Sequence, residues 1–437
     1  MGDNGRDSLS CRMEPSFISS IVCMVPLFPT EPFMATVLTI AVLSLMIWLY
    51  LLSFRGQFWR VKPVLFDRGQ FPLPPRTAAL PSVAIIIPAR NEAAILPESF
   101  PPLLQQDYAG DYRIYLVDDQ SADHTGEIAQ ELASDCPVPV TVIESQPLPA
   151  GWTGKLWALH QGIAAATEED APDYLLLTDA DIGHHPASLT RLINKAVAEQ
   201  RDLVSLMVKL RCTSGWEKLL IPAFVFFFAQ LYPFTWVNQP DKATAAAAGG
   251  CSLVRRSALE EIGGIAALKD ALIDDCTLAY KIKHRDAKGN DRFHNIWLGV
   301  TQEIHSLRPY ENLDSIWQMV ARTAYTQLNY SPLLLVGTLI GMCLVYLAAP
   351  IGIVLGVVLH QPIIFGVALS TYALMSISYI PINQFYKTAW FYPLCLPFIG
   401  LLYSLMTVDS ARQHWQGKGG NWKGRTYEAQ MGGDASG

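Results

Sequence analysis

No two of the eight cysteines form a C-x-x-C pair: Cys11, Cys23, Cys136, Cys212, Cys251, Cys276, Cys343 and Cys395 lie far apart. That spacing argues against a zinc site or a disulfide framework, and it predicts reduced thiols used as apolar filler. Charge is scarce too. Asp, Glu, Lys and Arg make up 16% of the 437 residues, where an ordinary soluble domain has about a quarter. Acids outnumber bases, with a formal net charge of −7 and a pI near 5.7. This excludes the basic surface that a nucleic-acid partner requires. A cleaved signal peptide is not expected either. The first apolar run begins late and is too long for a leader's core, and Arg55, Arg60, Lys62 and Arg68 follow it.

Apolar residues are abundant instead. They form 51% of the chain, and the mean hydropathy is +0.22, too high for an ordinary soluble enzyme. Residues 33–54, "FMATVLTIAVLSLMIWLYLLSF", carry no charge and exceed the roughly 20 residues that a bilayer crossing needs. A second apolar region is interrupted by "HQP" at 360–362 and "NQFYK" at 383–387. The chain thus divides into an N-terminal tail (1–32), a first span (33–54), a proline-rich linker (55–80) and an α/β domain (81–310). An interface helix (311–331), transmembrane or re-entrant helices (332–408) and a C-terminal tail (409–437) follow. The four basic residues after the first span predict that residues 55 onward face the cytoplasm. Arg6 and Arg12, mixed with acids in the tail, reduce that asymmetry.

Within 81–310, apolar β-branched runs alternate with helical patterns. "SVAIIIPARNE", "YRIYLVDDQSADHT", "VTVIES" and "DYLLLTDAD" read as buried strands, and "ILPESFPPLLQQ", "GEIAQELASD" and "GKLWALHQGIAAAT" as helices. This alternation predicts a mostly parallel sheet covered on both faces. Ligands of such sheets bind beyond the carboxyl ends of the strands. Asn91, Glu92, Asp118, Asp119, Asp179 and Asp181 stand at those ends and are expected to converge.

A single Asp after a strand is commonly a turn former or helix cap. Acids at three strand ends along one rim repel one another and raise each other's pKa. A divalent cation removes that cost, and Mg²⁺ or Mn²⁺ suits carboxylate oxygens combined with substrate phosphates. The Asp179/Asp181 pair in "TDADIGHHP" is therefore placed to hold a metal against a diphosphate. Lys155 in "GWTGKLWAL" adds an anion site at a helix start, although Leu156 stands where a Walker A motif needs Ser or Thr. Gly249 and Gly250 allow close backbone approach to a substrate, and a capped helix is expected from Ser257. Asp274 and Asp275 open a further helix. One could cap it; the other is a candidate general base.

With these residues assembled, the chain resembles family 2 glycosyltransferases of the GT-A fold. It is most similar to hopene-associated membrane glycosyltransferases, near the carotenoid and ceramide glucosyltransferase-like branch. The motifs "IIIPARNE", "VDDQSADHT", "GWTGKLWAL", "TDADIGHHP", "GGCSLVRR" and "IDDCTLA" occur in family order, and the resemblance covers about residues 81–330. It implies an inverting enzyme that moves one sugar from a nucleotide sugar, a UDP-sugar first, to a hydroxyl of a hopanoid or other polyprenoid-type lipid. The setting it implies is a bacterial inner membrane, with the domain in the cytoplasm. Pro88, Arg90, Asn91, Glu92, Asp118 and Asp119 would then line the nucleotide site, with Asp118 nearer the base. Asp181 becomes the main metal ligand, Asp179 contacts the donor ribose or sugar, and Asp275 deprotonates the acceptor.

Processive synthases of this family carry Q-x-x-R-W on an interface helix. Here "WQMVARTAY" sets Gln318 and Arg322 one residue too far apart, and Thr323 replaces the Trp. That disfavours a long-chain synthase. Trp422, Lys423, Arg425 and Tyr427 of the tail could close over the diphosphate, as the resemblance suggests. The aromatic stretch at 219–237 is expected in the membrane interface, beside an entering lipid. Three full spans between 332 and 408 would leave the tail outside. A tail that serves the site needs a re-entrant segment or a break near Pro350. The alternatives are a polysaccharide synthase, a nucleotidyltransferase and a silent membrane scaffold.

Overall fold

The computed structural model describes residues 31–65, 80–269, 271–285 and 293–417, with the backbone of 421–422 and 425–426. Eight strands build the central sheet: β1 (Val83–Ala89), β2 (Tyr112–Asp118), β3 (Val140–Glu144), β4 (Tyr174–Thr178), β5 (Ile182–Gly183), β6 (Leu203–Lys209), β7 (Cys251–Arg255) and β8 (Ile296–Ser306). Their spatial order is β3-β2-β1-β4-β7-β6-β8-β5. Four neighbour pairings are parallel; those of β7 with β4 and β6, and of β5 with β8, are antiparallel.

This order decides what reaches one rim. Ala89 pairs with Asp118 and Thr178 with Cys251, so β1, β2 and β4 end where antiparallel β7 begins. The parallel β6 and β8 also end there, at Lys209 and Ser306. The rim therefore gathers the residues after β1, β2, β4, β6 and β8, and those before β7.

Alternation along β1 feeds two cores. Ile86 joins one face, and Ile85 and Ile87 join the other. Helices α1 (Glu31–Phe54), α2 (Thr125–Ala133), α3 (Gly154–Glu169), α4 (Ser188–Ala198), α5 (Gly215–Leu231) and α6 (Asp274–His284) precede β8. A Cβ on Gly162 of α3 would stand 2.8 Å from Ile86 Cγ2, so glycine lets this helix lie close on the sheet. Two local expectations change. "ILPESFPPLLQQ" splits into two short helices, Leu96–Ser99 and Pro101–Leu104, because Pro101 cannot donate into a continuing ladder. The helix expected from Ser257 spans Arg256–Glu261, and no side chain caps it.

The stretch expected in the membrane interface centres on α5. Ser214 and Glu217 form a reciprocal cap at its start, and Glu217 Oε1 also accepts from Tyr310 N at 2.8 Å. Its far end is held by Arg55, which donates to Gln230 O and Leu231 O at 3.1 and 3.0 Å. α5 thus lies between the sheet and the apolar helices.

Helices α7 (Leu313–Ala321), α8 (Pro332–Val358), α9 (Pro362–Phe385) and α10 (Leu396–Trp415) complete the chain. Among the described residues, four helical stretches, α1, α8, α9 and Tyr392–Trp415, are long and apolar enough to cross a membrane. α8 does not break near Pro350. A π-turn at Cys343–Leu347 precedes that proline and absorbs the lost backbone bond. Trp48 Nε1 donates to Val345 O in this turn at 2.8 Å.

α10 takes an unusual course. Tyr372 Oη, midway along α9, donates to Leu394 O beside the start of α10 (2.5 Å), and Asn383 Nδ2 near the end of α9 donates to Ala389 O (3.1 Å). At its other end, Asp409 and Ser410 bond to Trp317 and Tyr325. α10 begins beside the middle of α9 and ends beside α7.

Candidate active site

The rim opens into a cavity of about 300 Å³. Glu92 comes from the end of β1, Asp179 and Asp181 from the end of β4, and Gly249 and Gly250 from the start of β7. Asp274 and Asp275 open α6, Lys155 opens α3, and Pro88 lies at the floor. One wall is apolar, with Phe224 and Phe228 one helical turn apart on α5.

Each acid of the Asp179/Asp181 pair faces a cation. Lys155 Nζ is 2.7 Å from Asp179 Oδ1 and 3.9 Å from Asp274 Oδ2. Burial opposes the charge on Lys155, but Asp179, Asp274 and Asp275 outweigh it and hold the ammonium above its usual range. Arg308, two residues beyond β8, donates from Nε to Asp181 Oδ2 at 2.6 Å and from Nη2 to Glu92 Oε1 at 3.3 Å.

Asp275 differs from its neighbour. Its Oδ2 accepts from Gly249 N at 2.8 Å and its Oδ1 from Cys276 N at 2.7 Å. Burial, with the charge of Asp274, pushes its carboxyl up to about 6, against the opposing pull of those N–H groups and Lys155. A Cβ at Gly249 would stand 3.3 Å from Lys155 Nζ and 3.4 Å from Asp275 Oδ2. A side chain there would press on the lysine ammonium by a few tenths of an ångström. The residue at the cap position of α6 is Ile273, so neither acid serves there as its N-cap. The arrangement is a partly buried carboxylate, pushed up to about 6, in the same cleft as Lys155, Arg308 and Arg322: it can take a proton.

Several sequence-predicted residues stand elsewhere. Arg90, Asn91, Asp118 and Asp119 lie beside the cavity but outside its lining. They knit two loops together: Asp118 Oδ1 accepts from Ser121 N, Asn91 Oδ1 accepts from Ala122 N, and Arg90 reaches Asp119. The convergence expected of all six strand-end residues holds for Glu92, Asp179 and Asp181. Gln318 is exposed and reaches back to Asp314 at 3.4 Å; Arg322, a turn further on, lines the cavity. Trp422 and Arg425 pair across an antiparallel two-stranded ribbon. Their side chains, with Lys423 and Tyr427, lie outside the described residues.

Arg308 escaped the sequence reading; Phe224 and Phe228 belong to the aromatic stretch expected beside an entering lipid, and both line the cavity. "IWLGVTQEIHS" read as one long strand would have put "LRPY" at the same carboxyl rim.

The donor set suits a hard cation only in part. Among the described residues, no three His, Cys, Asp or Glu side chains form a metal-holding group. The cavity is nonetheless lined by five carboxylates, Glu92, Asp179, Asp181, Asp274 and Asp275, against Lys155, Arg308 and Arg322. A nucleoside diphosphate would meet a net negative site. Oxygen-only ligands with that charge fit Mg²⁺ or Mn²⁺ bound through one or two carboxylates and completed by substrate phosphates.

Residues 84–263 match the family described as Glycosyl transferase family 2. An undecaprenyl-phosphate 4-deoxy-4-formamido-L-arabinose transferase of Pseudomonas paraeruginosa is 29% identical over 144 residues, 31% of this chain and 38% of that protein. A dolichol-phosphate mannosyltransferase of Pyrococcus furiosus is 32% identical over 121 residues, 28% of this chain and 31% of that protein. The chain thus spans well under half the length of these curated relatives. Among solved structures, a mannosyltransferase from Pyrobaculum calidifontis in complex with GDP-Man and Mn²⁺ aligns with a TM-score of 0.47 at 16% identity, covering 86% of this chain and 99% of that one. The α/β sheet has a GT-A-like fold, and the stretch that matches the family 2 model, residues 84–263, lies within it. The matches do not reach the hopene-associated subfamily.

Proposed function

We propose that this family 2 domain moves one sugar from a nucleoside diphosphate sugar, a UDP-sugar first, to the hydroxyl of a membrane lipid of hopanoid or related polyprenoid type. The observation that carries this is Asp275, partly buried and held by Gly249 N, with its carboxyl pushed up to about 6, sharing its cavity with the apolar wall of Phe224 and Phe228. The lipid skeleton lies along that wall. The diphosphate lies toward Lys155, Arg308 and Arg322. The acceptor oxygen attacks the anomeric carbon from the face opposite the diphosphate, Asp275 takes the hydroxyl proton, and the bond from carbon to the diphosphate oxygen breaks. One displacement inverts the anomeric centre. A divalent cation held by Asp181, with Asp179 beside it, would offset the charge of the departing diphosphate. Asp118 and Asp119 order the loop beside the nucleotide. The tail residues Trp422 and Arg425 would close over it.

A second reading follows from the names of the relatives, whose acceptors are lipid phosphates. A phosphate is already ionised and needs no base, so Asp275 separates the two. The test is to supply UDP- and GDP-sugars labelled in the sugar to membranes with and without the protein, and to identify the labelled lipid by mass spectrometry. A neutral glycolipid supports the first reading; a sugar phospholipid supports the second.

The pH profile of transfer follows from the same carboxyl. As a general base Asp275 must be ionised, so at saturating substrate the rate should rise with pH through about 6 and then level off. A flat profile between pH 5 and 8 would remove Asp275 as the base.

The course of α10 bears on which side the tail occupies. Gln302 Nε2 of β8 reaches Phe385 O at the end of α9 (3.4 Å), and α10 ends against α7. Both ends of the intervening segment lie on the domain's side, which favours α10 as a re-entrant helix and a tail on the cytoplasmic face. In a cysteine-free background, His360→Cys should be labelled by an impermeant thiol reagent in intact cells. Gln416→Cys should react only after permeabilisation; its labelling in intact cells would make α10 a full span.

A further inference from the structure

We infer that Asp409 and Ser410, at the inner end of the last apolar helix, are positioning residues that hold Arg322 in the cleft. The inference rests on the reading above, in which Arg322 faces the donor diphosphate. Arg322 directly follows the last residue of α7, in a turn where Arg322 N still bonds to Gln318 O and Ala324 N to Val320 O, while Tyr325 N and Ala321 O each bond to Ser410. Ser410 clamps that turn. Its hydroxyl donates to Ala321 O and accepts from Tyr325 N at 3.0 Å, so one side chain grips the backbone on both sides of Arg322.

Asp409 fixes α7 one turn earlier, where its Oδ2 accepts from Trp317 Nε1 at 2.9 Å. Arg412 and Gln413, on its own helix, donate to the same carboxylate and satisfy its charge at a largely buried site. Trp317, Ala321 and Tyr325 are spaced four apart, so they form one stripe facing α10. Arg322, one residue round, is turned away from that stripe toward the cavity it lines. α10 is itself a fixed reference, because Tyr403 Oη donates to Leu220 O of α5 at 2.8 Å and Gly400 packs against Tyr346 of α8. The last helix thereby sets where a cleft cation stands, with no residue of its own in the cleft lining.

A double-mutant cycle on nucleotide affinity tests this. UDP and GDP, each with MnCl₂, are titrated calorimetrically into the detergent-purified full chain. Arg322→Ala should weaken the preferred diphosphate about tenfold, as loss of a charge-assisted contact does. Ser410→Ala and Asp409→Ala should each weaken it by roughly threefold to tenfold. Asp409→Asn keeps an acceptor for Trp317 and should restore most of the affinity. In the Arg322→Ala background, neither alanine variant should weaken binding further. Full additivity there would show that Asp409 and Ser410 act on stability and not through Arg322, and would overturn the inference. If Ser410→Ala does not fold, the Asp409→Ala and Asp409→Asn pair carries the same cycle. Unchanged affinity in Arg322→Ala, or a wild-type protein that binds neither diphosphate, would contradict the donor reading of the cleft and the inference with it.

Discussion

Asp275→Asn should retain donor affinity and lose transfer by about 10²–10⁴-fold, the range that a positioned general base contributes. The amide preserves size, but its single oxygen can accept from only one of Gly249 N and Cys276 N, which the carboxylate holds with separate oxygens. What it cannot do is take a proton. Lys155 keeps its stronger partner, Asp179 at 2.7 Å, so the anion-binding side of the cleft should be undisturbed. A purely structural role forecasts a different pattern: with one backbone N–H left facing the amide NH2, thermal stability and donor affinity would fall together, and transfer would not be lost alone. A lipid phosphate acceptor forecasts survival of transfer, since no proton has to leave. The measurement is donor affinity by calorimetry alongside transfer to extracted lipid. Near-normal transfer would remove Asp275 as the base and move attention to Asp274, 3.9 Å from Lys155.

Asp181→Ala should abolish transfer and weaken donor binding to the level that wild type shows in excess chelator. Both treatments would leave the diphosphate facing the remaining carboxylates without its dication. The effect on affinity should be at least tenfold, comparable to losing a charge-assisted contact. The competing account makes Asp181 only the partner of Arg308, 2.6 Å away. In that case the alanine variant would free the guanidinium for the diphosphate, tighten nucleotide binding, and leave wild type indifferent to chelator. Titrating UDP and GDP into both proteins, with MnCl₂ and with EDTA, decides between them. The backbone carbonyl of Asp181 accepts from Leu307 N whatever the side chain, so the local fold should persist in the variant.

Much of this site was legible because parallel strands announce their carboxyl ends. β1, β2 and β4 are short apolar runs closed by polar residues, and that punctuation points to the rim where Glu92, Asp179 and Asp181 line the cavity. Asp118 and Asp119 obeyed the same rule yet stand in the neighbouring loop lattice. Strand ends fix a backbone position; turn hydrogen bonds decide where the side chain goes. Gly249 and Gly250 reach the rim through β7, which runs antiparallel, and no local pattern states a strand's direction. Arg308 was missed because β8 mixes "TQE" into its apolar run, which hides the period. Gln318 and Arg322, named as substrate-binding candidates on the family resemblance, are spaced to share a helix face, but the cleft meets that face only at its last turn, where Arg322 lines it. The path of α10 is a tertiary outcome. Its composition is that of a span, and only its contacts with Tyr372, Trp317 and Tyr325 show where its ends lie.

The most direct test of the central claim is single-turnover transfer from a sugar-labelled nucleotide donor to membrane lipid, comparing wild type with Asp275→Asn at matched donor occupancy. The account predicts a labelled neutral glycolipid from wild type, inverted at the anomeric carbon, and about a hundredfold or greater slowing in the variant. A labelled lipid phosphate formed equally fast by both proteins would contradict it.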